Sequence, residues 1–403
     1  MLITFALDNW KSFRDRAELR MTAVSAVRPR ERLFFVPEYR MRLLPVAALH
    51  GRNASGKTAF VEALGFLRNL VLRGTPNPDG KIPVRPFKLE SECLRRPTRL
   101  ELKTLIDGRI WSYRVSLTPE RNLDERLTLA YGATPRGAYE RREGETMRFD
   151  EAFFRSKNEL EQLRLIERST RENQLFLTTA VQCNAVRLRP LYDWFARLSV
   201  LTPRCGSVPV EASGDPKHPL GEAVTQMMRD SGIGLVRLEA VRVEGPADRM
   251  GLLGERLALL GSDAFLAEDM LVRREGGGVV LERLRPILKN ARGEETALSW
   301  SDLSDGTRRL LALVPVFAQL KEGVDGVFVI DDLELGLHPN VSAWLVKSVL
   351  GAEGPAGRAQ LVFTTHDANL LDAELIRPDE AWSVGKSAAG ASTLRSAADF
   401  GSC

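Results

Sequence analysis

At 403 residues, 44% of them hydrophobic, the chain is long enough for one large domain or two ordinary ones and can bury a core without help from a partner. Its net charge of +4 sets up no global field, so charge alone argues for neither a nucleic acid nor a membrane surface as partner. No apolar stretch approaches the roughly 20 residues that cross a bilayer, and MLITFALDNW lacks the pattern of a secretory leader, so a cytoplasmic protein is expected.

Cys93, Cys183, Cys205 and Cys403 are far apart and form no CxxC, which points to free thiols rather than a disulfide frame or a zinc site. Arginine outnumbers lysine about four to one, a bias that GC-rich coding explains more readily than phosphate recognition does.

In chain order, LITFALDNWKSF and RAELRMTAV alternate apolar and polar residues as strands do. LLPVAALHG is a short apolar run, read as a buried strand, that leads into GRNASGKT, and TAFVEALGFLRNLVLRG then has helical spacing and a glycine stop. After the proline-rich GTPNPDGKIPVRPFKL, TRLELKTLIDGRIWSYRVSLT and ERLTLAYG alternate again, with Asp107 and Gly108 as the turn of a hairpin. SKNELEQLRLIERS, NQLFLTTAVQCN and VRLRPLYDWFARLSVL carry charges on one face and leucines on the other, which predicts helices. A linker, TPRCGSVPVEASGDPKHP, precedes a helix LGEAVTQMMRDS, mixed segments and the glycine run of EGGGVVLERL. From Leu298 the pattern is α/β: helix GTRRLLALVPVFAQLKEG, strand GVFVIDD, helix PNVSAWLVKSVLG, strand AQLVFTTH, helix DANLLD and strand EAWSVGK. No internal repeat stands out, and no heptad run is long enough for an extended coiled coil. The expected architecture is an α/β core in two lobes, residues 1–145 and 296–403, split by a mainly helical insertion over 146–295.

Four motifs carry chemistry. GRNASGKT fits GxxxxGK[ST], and its setting of strand, loop and helix is the one a phosphate cradle needs. In such a cradle glycines let successive backbone N–H groups turn inward, Lys57 would reach the β and γ phosphates, Thr58 would hold Mg²⁺, and the helix N-terminus would add its positive end. Asp331 and Asp332 end the apolar strand GVFVIDD, where carboxylates would orient Mg²⁺ and the attacking water; the bland alternative is a strand ending in solvated acids. In DLSDGTRRLL, Ser304 is an N-cap on its plain reading, while the same exposed N–H groups could grip a γ-phosphate supplied by another subunit. His366 ends LVFTTHD about 35 residues after Asp331, one strand–helix–strand unit, which would put imidazole and carboxylates at one sheet edge.

The order of P-loop, insertion, LSDGT, strand with acids, LGLHPN and TTHD resembles ABC-type ATPases of the SMC and RecF kind. Within them the chain resembles the bacterial AAA-type ATPases of the OLD-like and RloA group, found in phage-defence loci such as PARIS and Septu. NWKSF, RPFKL, SDGTRRLL, LHP and IRPDEAWSVGK are similar to that group's motifs over nearly the whole chain. The resemblance implies an α/β, ABC-type P-loop NTPase head that uses ATP and Mg²⁺. It implies that Gly51, Arg52, Asn53, Ala54, Ser55, Gly56, Lys57 and Thr58 bind ATP, with Lys11, Ser12 and Phe13 near the adenine or α-phosphate. Thr58 and Asp331 would serve the metal, Asp332 would occupy the catalytic acid position, and His366 would be the switch histidine. Ser304, Asp305 and Gly306 would touch ATP bound to the opposite subunit. The group carries Glu where this chain has Asp332, which predicts slow turnover. No clear Q-loop glutamine stands near RPFKLESE, and the relatives' tail beyond STLRSAADF has no counterpart in this sequence.

Two cradles facing two signature helices predict a homodimer, or a higher homo-oligomer, that closes on ATP and opens on hydrolysis. The insertion is too short for SMC arms, and no nuclease constellation is visible, so a sensor or scaffold controlling a separate effector, a nuclease or toxin, is expected. A RecF-like DNA-binding repair clamp is the alternative, which leaves nucleic acid open as a partner. A transporter's ATPase subunit is disfavoured, and no membrane contact is expected.

Overall fold

The fold is described from a computed structural model, which covers residues 1–24, 27, 32–131, 134–154, 156–203, 208–209, 219–232, 234–245, 247–260, 264–267, 269–275, 278–350 and 357–400. Cys205, Cys403, most of the expected linker and Gly276 and Gly277 of the glycine run lie outside the described residues.

Six strands form the central sheet, in the order Leu198–Leu201, Val327–Ile330, Gln360–Thr365, Val46–His50, Ala381–Lys386 and Ser392–Ser396. The first five run parallel, and the last is antiparallel to its neighbour. The loop strand Val46–His50 thus comes from the amino-terminal lobe yet lies between two strands of the carboxy-terminal lobe. Parallel strands covered on both faces read as unbroken apolar runs, as VAALH, VFVI and QLVF do.

Successive side chains of a strand point to opposite faces, and here the two faces feed two cores. Ala47, Leu49, Val327, Val329 and Val362 join the core that includes Phe60, Val61 and Leu64 of the loop helix Lys57–Arg73. Val46, Ala48, Phe328, Ile330, Leu361 and Phe363 join a core built on the signature helix Asp305–Lys321 and the helix Pro339–Leu350. The two halves of the chain are therefore held by one sheet with a layer on each side.

A second sheet of seven antiparallel strands runs Arg148–Phe149, Thr134–Arg142, Asn122–Tyr131, Arg109–Leu117, Thr98–Ile106, Leu2–Asp8 and Ala17–Arg20. Its hairpin turns at Asp107 and Gly108, both with positive φ (48° and 71°), the geometry that lets a two-residue turn follow the strand twist. Gln360 knits the two sheets together: its amide donates to the carbonyls of Leu2 and Leu44 (3.1 and 2.9 Å) and accepts from the Leu2 N–H. Glu125, fully buried, accepts from Tyr113, Tyr139 and Asn122 and from the N–H groups of Phe176 and Leu177, so five donors compensate its charge. Through it the sheet is fastened to the first turn of the helix Phe176–Gln182.

The segment between the lobes is helical only in its first part, with helices Lys157–Ser169, Phe176–Gln182 and Arg189–Ala196. The helix expected over VRLRPLYDWFARLSVL stops at Ala196, and Leu198–Leu201 pairs with Val327–Ile330 as the edge of the central sheet. An open strand edge and apolar cores on either side override a helical spacing that the sequence does carry. Helices Pro219–Asp230 and Ala247–Leu260 follow, but among the described residues the mixed segments around them form a six-stranded sheet. Leu235–Val243, Ala264–Ala267, Met270–Glu275 and Gly278–Lys289 are its longer members. Arg237, Glu239 and Arg242 of one strand and Arg283 and Arg285 of another are exposed, while Leu235, Leu238, Leu284 and Ile287 are buried, so this sheet has one wet face. Among the described residues no helix is long and apolar enough to cross a membrane.

Candidate nucleotide-binding site

The loop Gly51–Thr58 leaves its strand at His50 and enters its helix at Lys57. Gly51 is pressed against the neighbouring strand: a Cβ there would lie 2.3 Å from the Val384 carbonyl oxygen. Ala54 (φ 62°) and Gly56 (φ 118°) take left-handed conformations, the kind of backbone turn from which anion-binding concavities are built. A Cβ at Gly56 would collide with the hydroxyls of Ser392 (2.3 Å) and Ser12 (2.9 Å). Arg52, Asn53, Ala54 and Thr58 are exposed; Ser55 is buried, and its hydroxyl has no partner within the protein. Lys57 is 6% exposed and folds back so that its ammonium donates to the Gly51 carbonyl at 2.6 Å, at the centre of the loop.

Asp331 arrives from the adjacent lobe. It is 1% exposed; its Oδ1 accepts from the Thr364 hydroxyl at 2.7 Å, and its Oδ2 is buried with no hydrogen-bond donor among the described residues. Burial raises its pKa, and Asp332 adds to the rise, while the hydroxyls of Thr364 and Thr58 and the Lys57 ammonium pull it down. The first carboxylate is thus beside the Lys57–Thr58 pair, more than 270 residues away in sequence. An orphaned carboxylate oxygen next to a threonine hydroxyl is the oxygen-only donor set that suits Mg²⁺. Among the described residues no group of three or more His, Cys, Asp or Glu is placed to hold a metal ion. A cation at Thr58 and Asp331 would therefore complete its shell with phosphate oxygens and water.

Asp332 follows with φ 47°, and its N–H donates to the same Thr364 hydroxyl at 2.8 Å. His366 ends the neighbouring strand with its side chain half exposed, and Glu334 binds it twice: Oε1 accepts from the His366 main-chain N–H (2.7 Å) and lies 2.8 Å from Nδ1. Motif matching did not assign Glu334, His50 or Arg309. His50 pairs across the sheet with Thr365 and Ser383, and its Nδ1 is buried without a partner. Burial lowers its pKa, and the Lys57 and His366 charges push the same way against Glu334 and Asp367. Arg309 reaches from the signature helix to the Asp331 carbonyl (3.3 Å). Burial lowers its pKa against the pull of Asp331, Asp332 and Glu334. The one signal for His50 was its place directly before Gly51.

The remaining expected residues divide. Ser12 belongs to the loop, because the Ser392 hydroxyl binds both Ser12 Oγ (2.8 Å) and the Ser55 carbonyl. Lys11 pairs with Glu62 on the loop helix. Phe13 is fully buried and packs edge-on to Phe60, so any effect it has on a ligand passes through the core. Ser304 caps the signature helix, accepting from the Thr307 N–H at 3.2 Å, and both Ser304 and Asp305 are exposed. Gly306 lies against the Gly336 carbonyl, which a Cβ would approach to 2.6 Å. The contacts of Ser304, Asp305 and Gly306 are with their own helix and with Gly336, whereas the loop, Asp331, Asp332 and His366 share one sheet edge.

No curated protein matches the chain. Among solved structures it is similar to the SMC head domain from Thermotoga maritima, with 14% identity and a TM-score of 0.39 over 98% of each chain. It is also similar to an SMC head bound to the C-winged helix domain of ScpA, with 13% identity and a TM-score of 0.45 over 98% of this chain and 97% of that one. An SMC head with an extended coiled coil, bound to the C-terminal domain of ScpA derived from Pyrococcus furiosus, gives 12% identity and 0.43 over 98% and 96%. The family described as "AAA domain, putative AbiEii toxin, Type IV TA system" matches residues 46–207 and 224–372, which span the loop, both aspartates and the histidine. With a family match over most of its length, the chain belongs to that AAA-domain family.

Proposed function

We propose that the protein binds ATP at Gly51–Thr58, hydrolyses it slowly, and uses the bound state to join two heads and control a separate effector, a nuclease or toxin, in anti-phage defence. The observation that carries the nucleotide part is the meeting of Lys57 and Thr58 with a buried Asp331 oxygen that lacks a hydrogen-bond donor among the described residues. Loop N–H groups and Lys57 would bind the phosphates, and Thr58 and Asp331 would hold Mg²⁺, which when bound neutralises charge on the β and γ oxygens. Asp332 would orient the attacking water, with His366 beside it at the strand end. The defence role rests on the motif resemblance, on the family's description and on a segment between the lobes that is too short for SMC arms.

The test begins with Lys57→Ala. Because the ammonium sits inside the loop, its loss should abolish ATP binding by calorimetry while the melting temperature stays close to that of the parent protein. ATP affinity that survives the change would remove the loop from the site. Affinity purification from the native host should then recover a nuclease or toxin whose retention changes with ATP; retention on duplex DNA alone would favour the repair-clamp reading.

A further inference from the structure

Asp332 has a short side chain on a constrained backbone, and a second carboxylate stands two residues further on. Glu334 is 8% exposed, its Oε1 already receives the His366 N–H, and its Oε2 is buried with no donor among the described residues, so neither oxygen is open to a water molecule. Glu334 is therefore poorly placed to act as a base itself. It is well placed to fix a base: a carboxylate oxygen has no proton to give, so at 2.8 Å His366 Nδ1 is the donor. In a neutral imidazole that leaves the lone pair on Nε2, and the side chain is 51% exposed at the edge shared with the loop. The charged and titratable groups that act in this corner include His50 and Lys57 from the loop side, Glu334 from the acid loop, Arg309 from the signature helix, and Asp367 next in chain.

We propose that Glu334 is a positioning residue that locks His366 as its Nδ1–H tautomer, so that His366 Nε2 takes the proton of the attacking water while Asp332 orients it. The proposal rests on the ATPase reading above. In the step, the water oxygen forms a bond to the γ-phosphorus, and the bond from that phosphorus to the β–γ bridging oxygen breaks. ADP leaves with the electron pair, the water proton passes to Nε2, and its later release to solvent restores the neutral ring. One Glu334 oxygen accepts the backbone N–H of His366 and lies 2.8 Å from its ring Nδ1, so the same oxygen holds both the backbone and the ring, the kind of orientation that gives a general base its geometry.

The experiment uses the full chain with ATP and Mg²⁺, plus ¹⁵N-histidine NMR. His366→Ala should lower kcat by about 10²- to 10⁴-fold with ATP affinity unchanged. Glu334→Gln keeps the shape and one acceptor but loses the charge; it should lower kcat by about 10- to 100-fold, leave KM unchanged, and add little on the His366→Ala background. Independently of turnover, the ¹⁵N shifts of the unaltered protein should show His366 as Nδ1–H, its signal identified among the four histidines by its loss in His366→Ala. An Nε2–H tautomer, or a Glu334→Gln loss undiminished on the His366→Ala background, overturns the proposal. A protein with the Nδ1–H tautomer but no ATP binding would instead overturn the ATPase reading, and the proton transfer with it. Because the tautomer is read on the unaltered protein, a variant that fails to fold does not shield the idea.

Discussion

Asp332 combines an unusual identity with an unusual backbone. A φ of 47° is left-handed, and among non-glycine residues Asp and Asn tolerate it best, because a short polar side chain can bond locally. Thr364 accepts the Asp332 N–H and donates to Asp331, so one hydroxyl sets the turn that aims both acids. This is a physical reason for a shorter acid where the resemblance implies Glu. Asp332→Glu should extend the reach of the carboxylate and raise kcat by about tenfold. It should also lower the melting temperature, since a longer side chain adapts less well to a left-handed turn. Turnover that is unchanged or slower, measured at saturating ATP, would show that reach is not what limits the reaction. At this scale the glycine loop was legible because its chemistry lies within eight consecutive residues. Glu334 and Arg309 were not, because their partners are set by the register of strands and helices far apart in the sequence.

At the scale of elements, the strand Ala381–Lys386 borders the loop strand, and the residues just before it anchor it. Arg377 is 2% exposed and pairs with Asp379 through two bonds of 2.9 and 2.8 Å, while Glu380 accepts from the Arg377 N–H and is paired with Arg32. Glu380 also gives its carbonyl to the Ala48 N–H of the loop strand. Burial pushes its pKa up to about 7, against the pull of Arg32 and Arg377. A folded-state value raised above the unfolded one means that the native protein binds the proton more tightly. The associated stability is fully present below about pH 4.5 and is lost as pH rises through about 7. Glu380→Gln, which cannot titrate, should therefore show a flatter fall in melting temperature between pH 5 and 8 than the parent protein does. Parallel curves would mean that Glu380 keeps the same charge throughout. IRPDEAWSVGK was legible in sequence as a motif and as a strand, but nothing in it signalled a buried ion network, because Arg32 joins from more than three hundred residues away.

Across the whole molecule, one sheet places the glycine loop between strands of the far lobe, and the alternating side chains of that sheet feed a core on each face. The meeting of the lobes was legible because each strand ends in its own chemical motif. The sheet inside the segment between them was not, because charged residues fall there at irregular intervals, Arg237, Glu239 and Arg242 in one strand and Glu282, Arg283 and Arg285 in another, and mark no clear period. The same architecture leaves the signature helix with its first turn exposed: Ser304 and Asp305 face solvent, and Gly306 is held against Gly336, beyond the acid loop. A helix N-terminus gathers unpaired N–H groups and a partial positive charge, which are served best by an anion. If that anion is the γ-phosphate on a second copy, ATP should convert monomer to dimer. Ser304→Arg would put a long cationic side chain where the phosphate must approach, while leaving the loop of its own chain untouched. In sedimentation velocity with ATP and Mg²⁺, the parent protein should shift to dimer and Ser304→Arg should remain monomeric, with equal ATP affinity by calorimetry. Dimerisation of Ser304→Arg at the parent's concentration would mean that the heads join through another face, and the exposed first turn would then be only a capped helix end.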